Sequence, residues 1–569
     1  MKQPYQSIRQ SLLLASILYT GLALAQTPGD QTPTPATPSA TATPARGGFR
    51  GQNQNAPAPY MESPTAYQNT APSGCVGCVA TPADARALSL QRQGGGGGAG
   101  AALAQTAAGP GGQTAPAAAG APAQAPGGQA AGGADAPRRV GPRQNQPNPL
   151  PYDLLLKNGH VIDAKNNLDR LIDVAIKDGK IAAVGVDLKP ADAAKTVDAK
   201  GLYVVPGMID LHMHMYATTG EGGGSYAGDD SIWPDGFTLR NGVTTAVDAG
   251  SSGWRNFEDF KDHVIDRSQT RVLAMLNIVG AGMRGGRYEN NIADMNAEPT
   301  AWVAKRYPGV VIGIKSAHFT GPEWEPYIQA TKAGTLANIP VMIDYGSNRI
   351  ERPLYELLTK YLRPGDIYTH CFSGLRGEQD PHTLLPQKGL IEGRARGIYF
   401  DAGTGGGSFR FRVAYPLIKA GFKPDSLSTD LHIGSFNSST KDMLNVMSKF
   451  MAMGLTLQEV VADTTWHPAR EIKQEQLGNL SVGSDADVAV LSEEHGTFGF
   501  VDMDNVKMMG DTRLVCEMTL REGKVVYDLN GLSMDLWNQK PSSDPTVAGH
   551  WTAYVPRPAL PEQLTPSTK

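Results

Sequence analysis

Eight apolar runs separated by helix-length stretches recur between residues 208 and 431, and this repeat limits the possible folds more than any other feature of the chain. The runs are Met208–His214, Thr244–Asp248, Arg271–Val279, Val310–Lys315, Val341–Tyr345, Asp366–Phe372, Gly397–Gly403 and Ser426–Leu431. Strands covered on both faces read as continuous apolar runs, and parallel neighbours need a long crossover, usually a helix. Eight such units fit an α/β fold, a (β/α)8 TIM barrel, in which catalytic groups gather at the C-terminal ends of the strands. The polar residues fall at those ends. His212 and His214 close the first run, Lys315 the fourth, Asp344 lies near the end of the fifth, His370 is in the sixth, Thr404 follows the seventh, and Asp430 closes the eighth.

Short β segments flank the repeat. Asp153 to Asp163 and Ile172 to Gly185 carry apolar and β-branched residues punctuated by Asn-Gly and Asp-Gly turn signals. The same pattern returns in Ala486 to Leu491 and Val515 to Tyr527, where Glu522-Gly523 fits a hairpin turn. Two β segments so far apart in the chain predict a small β-sandwich built from 151–205 and 480–530, flanking a barrel over 206–479 and followed by a C-terminal extension, 531–569.

The N-terminus reads as an export signal. Lys2 and Arg9 precede an apolar stretch from Ser11 to Leu22, and Ala23-Leu24-Ala25 supplies the small residues that a signal peptidase accepts before Gln26. Residues 1–25 are therefore expected to be removed and the mature protein to be periplasmic or secreted, with no integral membrane segment left, since no later apolar run approaches 18 residues. Residues 26–150 are rich in Gly, Ala, Pro, Gln and Thr and offer few large side chains to bury, which predicts a disordered linker. Cys75 and Cys78 have CxxC spacing there, but without a second ligand pair or a surrounding α/β fold they read as a local disulfide or idle thiols. Lys and Arg number 51 against 55 Asp and Glu, and no long basic block interrupts the chain, so nucleic acid is excluded as the expected partner in favour of a small molecule.

The residue types at the strand ends point to a metal. In His212-Met213-His214 the intervening side chain turns to the opposite face of the strand, so two imidazoles face one centre. With His370 and Asp430 they form a donor set suited to a divalent cation. Lys315 is the odd member, because an ammonium repels a cation. At such a centre it must be deprotonated, or converted by CO2 to a carbamate that offers an anion.

Pro206-Gly-Met-Ile-Asp-Leu-His-Met-His214, Gly313-Ile-Lys315, Tyr368-Thr-His-Cys-Phe372, Asp401-Ala-Gly-Thr-Gly-Gly-Gly-Ser-Phe409 and Ser428-Thr-Asp430 resemble the amidohydrolase superfamily, and within it the dihydroorotase-like amidohydrolase/deacetylase group, over about 153–530. The resemblance implies a TIM barrel with a β-sandwich, one or two divalent ions (zinc first, manganese or iron as alternatives), a carboxylated Lys315, and hydrolysis of an amide or ester. It further implies that His212, His214 and Asp430 hold one ion, that Lys315 bridges and that His370 holds a second. The chain departs from the group at two places: Asp344 stands where the fifth strand usually ends in His, and Thr404 stands where the seventh carries the His of Gly-His-Gly. An Asp oxygen remains a metal ligand, whereas Thr404 replaces a polar contact expected to face substrate. His318 is a candidate to compensate for one of them.

Mechanistically, Asp430 is the expected general acid/base, moving a proton from the attacking water to the leaving group. The loop Gly405-Gly406-Gly407-Ser408 has two readings, backbone N–H groups presented to an anionic substrate or a tight turn; Thr404, Gly405, Ser408 and His318 make up the expected substrate contacts. Gly222 to Gly224 read as a mobile loop that closes on substrate, and Cys371 as a packed residue turned away from the metal. Two other functions fit the same pattern: a lyase, isomerase or decarboxylase using a metal-polarised carbonyl, and a binding or surface protein on a residual barrel.

Overall fold

Seven of the eight apolar runs form strands in the computed structural model, which describes residues 148–217 and 230–536. Met208–Met213, Val243–Gly253, Arg271–Asn277, Val311–Ser316, Val341–Ile343, Ile367–Tyr368 and Tyr399–Phe400 lie in chain order in one sheet. Every neighbouring pair is parallel. All residues of the first, second, fourth and fifth strands are buried, which is why these segments read as unbroken apolar runs without alternation. The predicted signal peptide, the linker up to residue 147 with Cys75 and Cys78, the Gly222 to Gly224 loop and the chain beyond residue 536 lie outside the described residues.

The eighth run departs from expectation, for Ser426–Leu431 is not a strand but touches both edges of the sheet through single bridges, Asp401 to Ser426 and Met213 to Leu431. Backbone bonds from Ala402 N to Ser426 O, Thr404 N to Ser428 O and His214 N to Leu431 O link the same edges. Its hydroxyls are drawn to buried carboxylates instead: Ser426 and Ser428 bond Asp401, and Thr429 bonds Asp210. Asp430 then takes a left-handed backbone, φ 49°, which no extended strand accommodates.

The crossover helices follow local rules. Ala297–Arg306 opens on Asn296, whose side chain accepts from Glu298 N, and carries Glu298 in its first turn and Lys305 and Arg306 in its last, matching the helix dipole. Phe411–Lys419 buries Phe411, Ala414, Leu417 and Ile418, an apolar stripe at helical spacing that packs into the main core.

Two further sheets draw on the flanking segments. One has four strands in the order Lys180–Gly185, Asp173–Lys177, Tyr152–Lys157, Ala193–Asp198. The other has six, in the order Lys524–Asp528, Lys507–Arg521, Val488–Val501, Tyr203–Pro206, His160–Asp163, Leu168–Leu171. Leu154, Val174 and Ile176 of the first and Val161, Val204, Val488 and Met518 of the second belong to one apolar cluster. Asp178-Gly179 joins Lys177 to its partner Lys180 with φ of 49° and 76°, and Glu522-Gly523 joins Arg521 to Lys524 with 49° and 72°. Positive φ at both central residues marks the two-residue hairpin turn whose twist matches that of the strands.

Candidate active site

His212 and His214 lie on the same side of the chain at the C-terminal end of the first strand, as alternation requires. Each is held from behind. His212 Nδ1 is 3.1 Å from Thr369 Oγ1, and Thr369 donates its one hydroxyl proton to Asp401 Oδ2 at 2.7 Å. Thr369 therefore accepts from His212, which leaves Nε2 of that ring unprotonated. His214 Nδ1 is 3.1 Å from the Ser251 hydroxyl, which also bonds the buried Asp248. His370 Nδ1 donates to Gly403 O at 2.6 Å, so its Nε2 is unprotonated in the neutral ring.

The Nε2 atoms of all three rings face Asp430. Oδ1 of Asp430 lies 3.1 Å from His214 Nε2 and 3.5 Å from His212 Nε2, and Oδ2 lies 4.0 Å from His370 Nε2. The donor atoms of His212, His214 and Asp430 fall within 4.8 Å of one another, and all three residues are buried. Two imidazole nitrogens and one carboxylate oxygen brought this close in a buried site are a donor set that suits a divalent ion. Burial, with Lys315 nearby, lowers His212 to about 3, so its ring is neutral and free to ligate. Burial pushes the Asp430 carboxyl up, but His212, His214, His432 and His370 outweigh it and hold it below the ordinary carboxylate range.

Lys315 is fully buried, with Nζ 2.9 Å from His212 Nε2. Burial lowers its pKa against the pull of Asp344, Asp430, Asp401 and Asp248, which favours the neutral amine that adds CO2.

The other candidates are placed differently. Asp344 Oδ1 is bonded by Arg376 Nη2 at 2.6 Å, and its Oδ2 lies 3.0 Å from His318 Nε2 and 3.3 Å from His370 Nε2. His318 does reach Asp344, and its Nδ1 is 3.2 Å from the buried Glu289. The Thr404 hydroxyl is spent on the carbonyls of Ser428 and Thr429, at 3.3 and 3.2 Å, which ties it to the eighth run. Ser408 is buried, and Cys371 packs in the apolar core.

Gly405 has a steric reason to be glycine. Its φ is +42°, and a Cβ there would fall against Asp430 Oδ2. Gly405→Ala is expected to cost about 1–3 kcal/mol of stability through the left-handed backbone and to displace Asp430, lowering turnover as well. Melting temperature and turnover measured on one sample check this; wild-type turnover would show that the loop yields instead.

Sequence reasoning missed the supporting residues Thr369, Asp401, Ser251, Asp248, Glu289, Arg376 and His432. Asp401 and Thr369 stand inside motifs already singled out, and Asp430-Leu-His432 repeats the i, i+2 spacing of the His pair.

Comparison with known proteins gives related results. An amidohydrolase family model matches residues 406–527. The chain is similar to a deacetylase of Brucella anthropi, 33% identical over 59% of this chain and 81% of the relative. It is also similar to a deacetylase of Agrobacterium fabrum, 33% identical over 63% of this chain and 85% of that one. Among solved structures, an adenine deaminase superposes with TM-score 0.60 at 28% identity, covering 66% of this chain and 100% of that chain.

Proposed function

The chain belongs to the amidohydrolase superfamily, and from that premise we propose that it hydrolyses the C–N amide bond, or an ester bond, of a small molecule such as an N-acyl amino acid or a cyclic amide. One observation carries the proposal: the Nε2 atoms of His212 and His214 converge on Asp430 at the C-terminal end of a parallel sheet. We read that sheet with its eighth run as a (β/α)8 barrel, the two other sheets as its flanking β-sandwich, and the working protein as exported.

His212, His214 and Asp430 would hold a divalent ion, zinc first by donor type, which when bound would supply Lewis-acid polarisation of a carbonyl and a lowered pKa for water. The protein's own groups do the rest. Asp430 Oδ1 faces the two imidazoles, which leaves Oδ2 to take a proton from the attacking water and return it to the leaving nitrogen. Thr369 with Asp401, and Ser251 with Asp248, fix the ring orientations. Lys315 as a neutral amine adds CO2, losing one proton, and so replaces a potential cation beside His212 with an anion. Among the described residues no helix is long and apolar enough to cross a membrane.

The test is a panel of N-acetyl amino acids, hydantoins and aryl esters offered to zinc-reconstituted protein and to a chelator-treated sample. Metal-dependent turnover of an amide is expected. Metal content well below one equivalent after reconstitution, with no turnover, would favour a binding protein. Intact-mass measurement of protein recovered from an exporting host checks the rest: the mature chain is expected to begin at Gln26.

A further inference from the structure

We infer that this chain binds a single divalent ion, at His212, His214 and Asp430, and that the adjoining position is closed to a second by the buried pair of Asp344 and Arg376. The inference rests on the proposed metal centre and says how many ions it takes.

The adjoining position would draw on Asp344 and His370, on the far side of Asp430 from His214. Its carboxylate is already engaged at both oxygens, with Arg376 Nη2 2.6 Å from Oδ1 and His318 Nε2 3.0 Å from Oδ2. A guanidinium stays protonated, so it is a fixed cation one hydrogen bond from where an ion would sit. Arg376 and Asp344 are both buried, at 4% and 2% exposure. In such surroundings like charges repel strongly, and breaking a buried pair is strongly destabilising.

Charge balance points the same way. A doubly charged ion at the His212, His214 and Asp430 position is neutralised by Asp430 and a carbamate on Lys315. Asp344 is neutralised by Arg376. His318 lies between the carboxylates of Asp344 and Glu289 and presents a ring nitrogen to each, at 3.0 and 3.2 Å, so both nitrogens act as donors. A second ion would sit beside the fixed cation of Arg376 and the doubly donating ring of His318. The donor set that remains, two imidazoles and one carboxylate, is the three-ligand set with an open position found at catalytic zinc sites.

The experiment measures bound zinc per chain by elemental analysis after equilibration of the full-length protein with Zn2+ and bicarbonate. Wild type is expected to hold one equivalent. Asp344→Asn should keep it, His214→Ala should lose most of it, and Arg376→Met, which removes the fixed cation and frees Oδ1 of Asp344, should rise towards two. Melting curves identify any variant that fails to fold; if Arg376→Met does, the Asp344→Asn and His214→Ala pair still decides which residues hold the ion. Two equivalents in wild type, loss of zinc in folded Asp344→Asn, or no rise in folded Arg376→Met overturns the inference while leaving the metal centre standing. Wild type without zinc overturns both.

Discussion

Asp430→Asn is expected to lower turnover by about 10²–10⁴-fold, the usual cost of removing a general acid/base, while most of the bound metal stays. Asn keeps the shape of the side chain and an oxygen where Oδ1 now lies 3.1 Å from His214 Nε2. It cannot accept a proton and return it. The backbone also tolerates the change, because Asp430 has φ 49° and Asn is among the few residues that enter the left-handed region readily. The neighbouring imidazoles hold the Asp430 carboxyl below the ordinary range against burial, which favours the ionised form that a base requires. A purely structural Asp430 predicts something else, a stability loss of about 1 kcal/mol with normal turnover per folded molecule, as for a lost helix cap. That role is already filled: Met443–Ala452, the helix after the eighth run, is capped by Asp442, which accepts from Asn445 N. Metal content, melting temperature and turnover measured on one preparation separate the two. Turnover near wild type with a lowered melting temperature would sink the catalytic assignment.

What could be seen in the sequence was whatever regular backbone carries. The His pair is legible because strand alternation holds through Met213, and Lys315 because it ends a run that is buried throughout. Alternation fails where strands stop. The sixth strand ends at Tyr368, and His370 is left-handed at φ 62°, so Thr369 reaches His212 although its neighbour also faces the centre. Arg376 reaches Asp344 from a loop 32 residues further on, and no periodicity connects them. The eighth run looked like a strand because Leu427 and Leu431 are apolar and buried, yet its Ser and Thr hydroxyls bind carboxylates, and Asp430 turns the chain. Thr404, expected to face substrate from its place after the seventh strand, also makes contacts that its own segment does not reveal. Its hydroxyl bonds backbone carbonyls, an assignment that depends on a neighbouring run absent from any local pattern.

Asp401→Asn is expected to weaken zinc binding by about 10–100-fold, the range typical of groups that orient a metal-binding histidine. Asp401 is fully buried and accepts at both oxygens, from Thr369 and Ser428 at Oδ2, 2.7 and 2.8 Å, and from Ser426 at Oδ1, 3.0 Å. Burial pushes its carboxyl up, but His212, Thr369 and Ser428 more than compensate and hold it below the ordinary range. A carboxyl lowered on folding adds stability that is present above its unfolded pKa, about 3.9, and is lost as pH falls through the folded value, so at neutral pH the group is an acceptor only. Thr369 must then give its proton to Asp401 and take one from His212 Nδ1, which keeps His212 Nε2 bare towards Asp430. An amide at position 401 brings a donor of its own. Where its NH2 group faces Thr369, the hydroxyl turns its proton to His212 Nδ1 and the ring proton moves to Nε2, where it blocks the ion. The decisive readout is the tautomer: nitrogen chemical shifts of His212 should move from the Nδ1–H to the Nε2–H pattern in the metal-free variant. Thr369→Val should weaken zinc binding too, while Ser426→Ala, which touches only Oδ1, should change it much less. Unchanged zinc affinity and an unchanged His212 tautomer in folded Asp401→Asn would show that Asp401 ties the seventh and eighth runs together and has no hold on the metal centre.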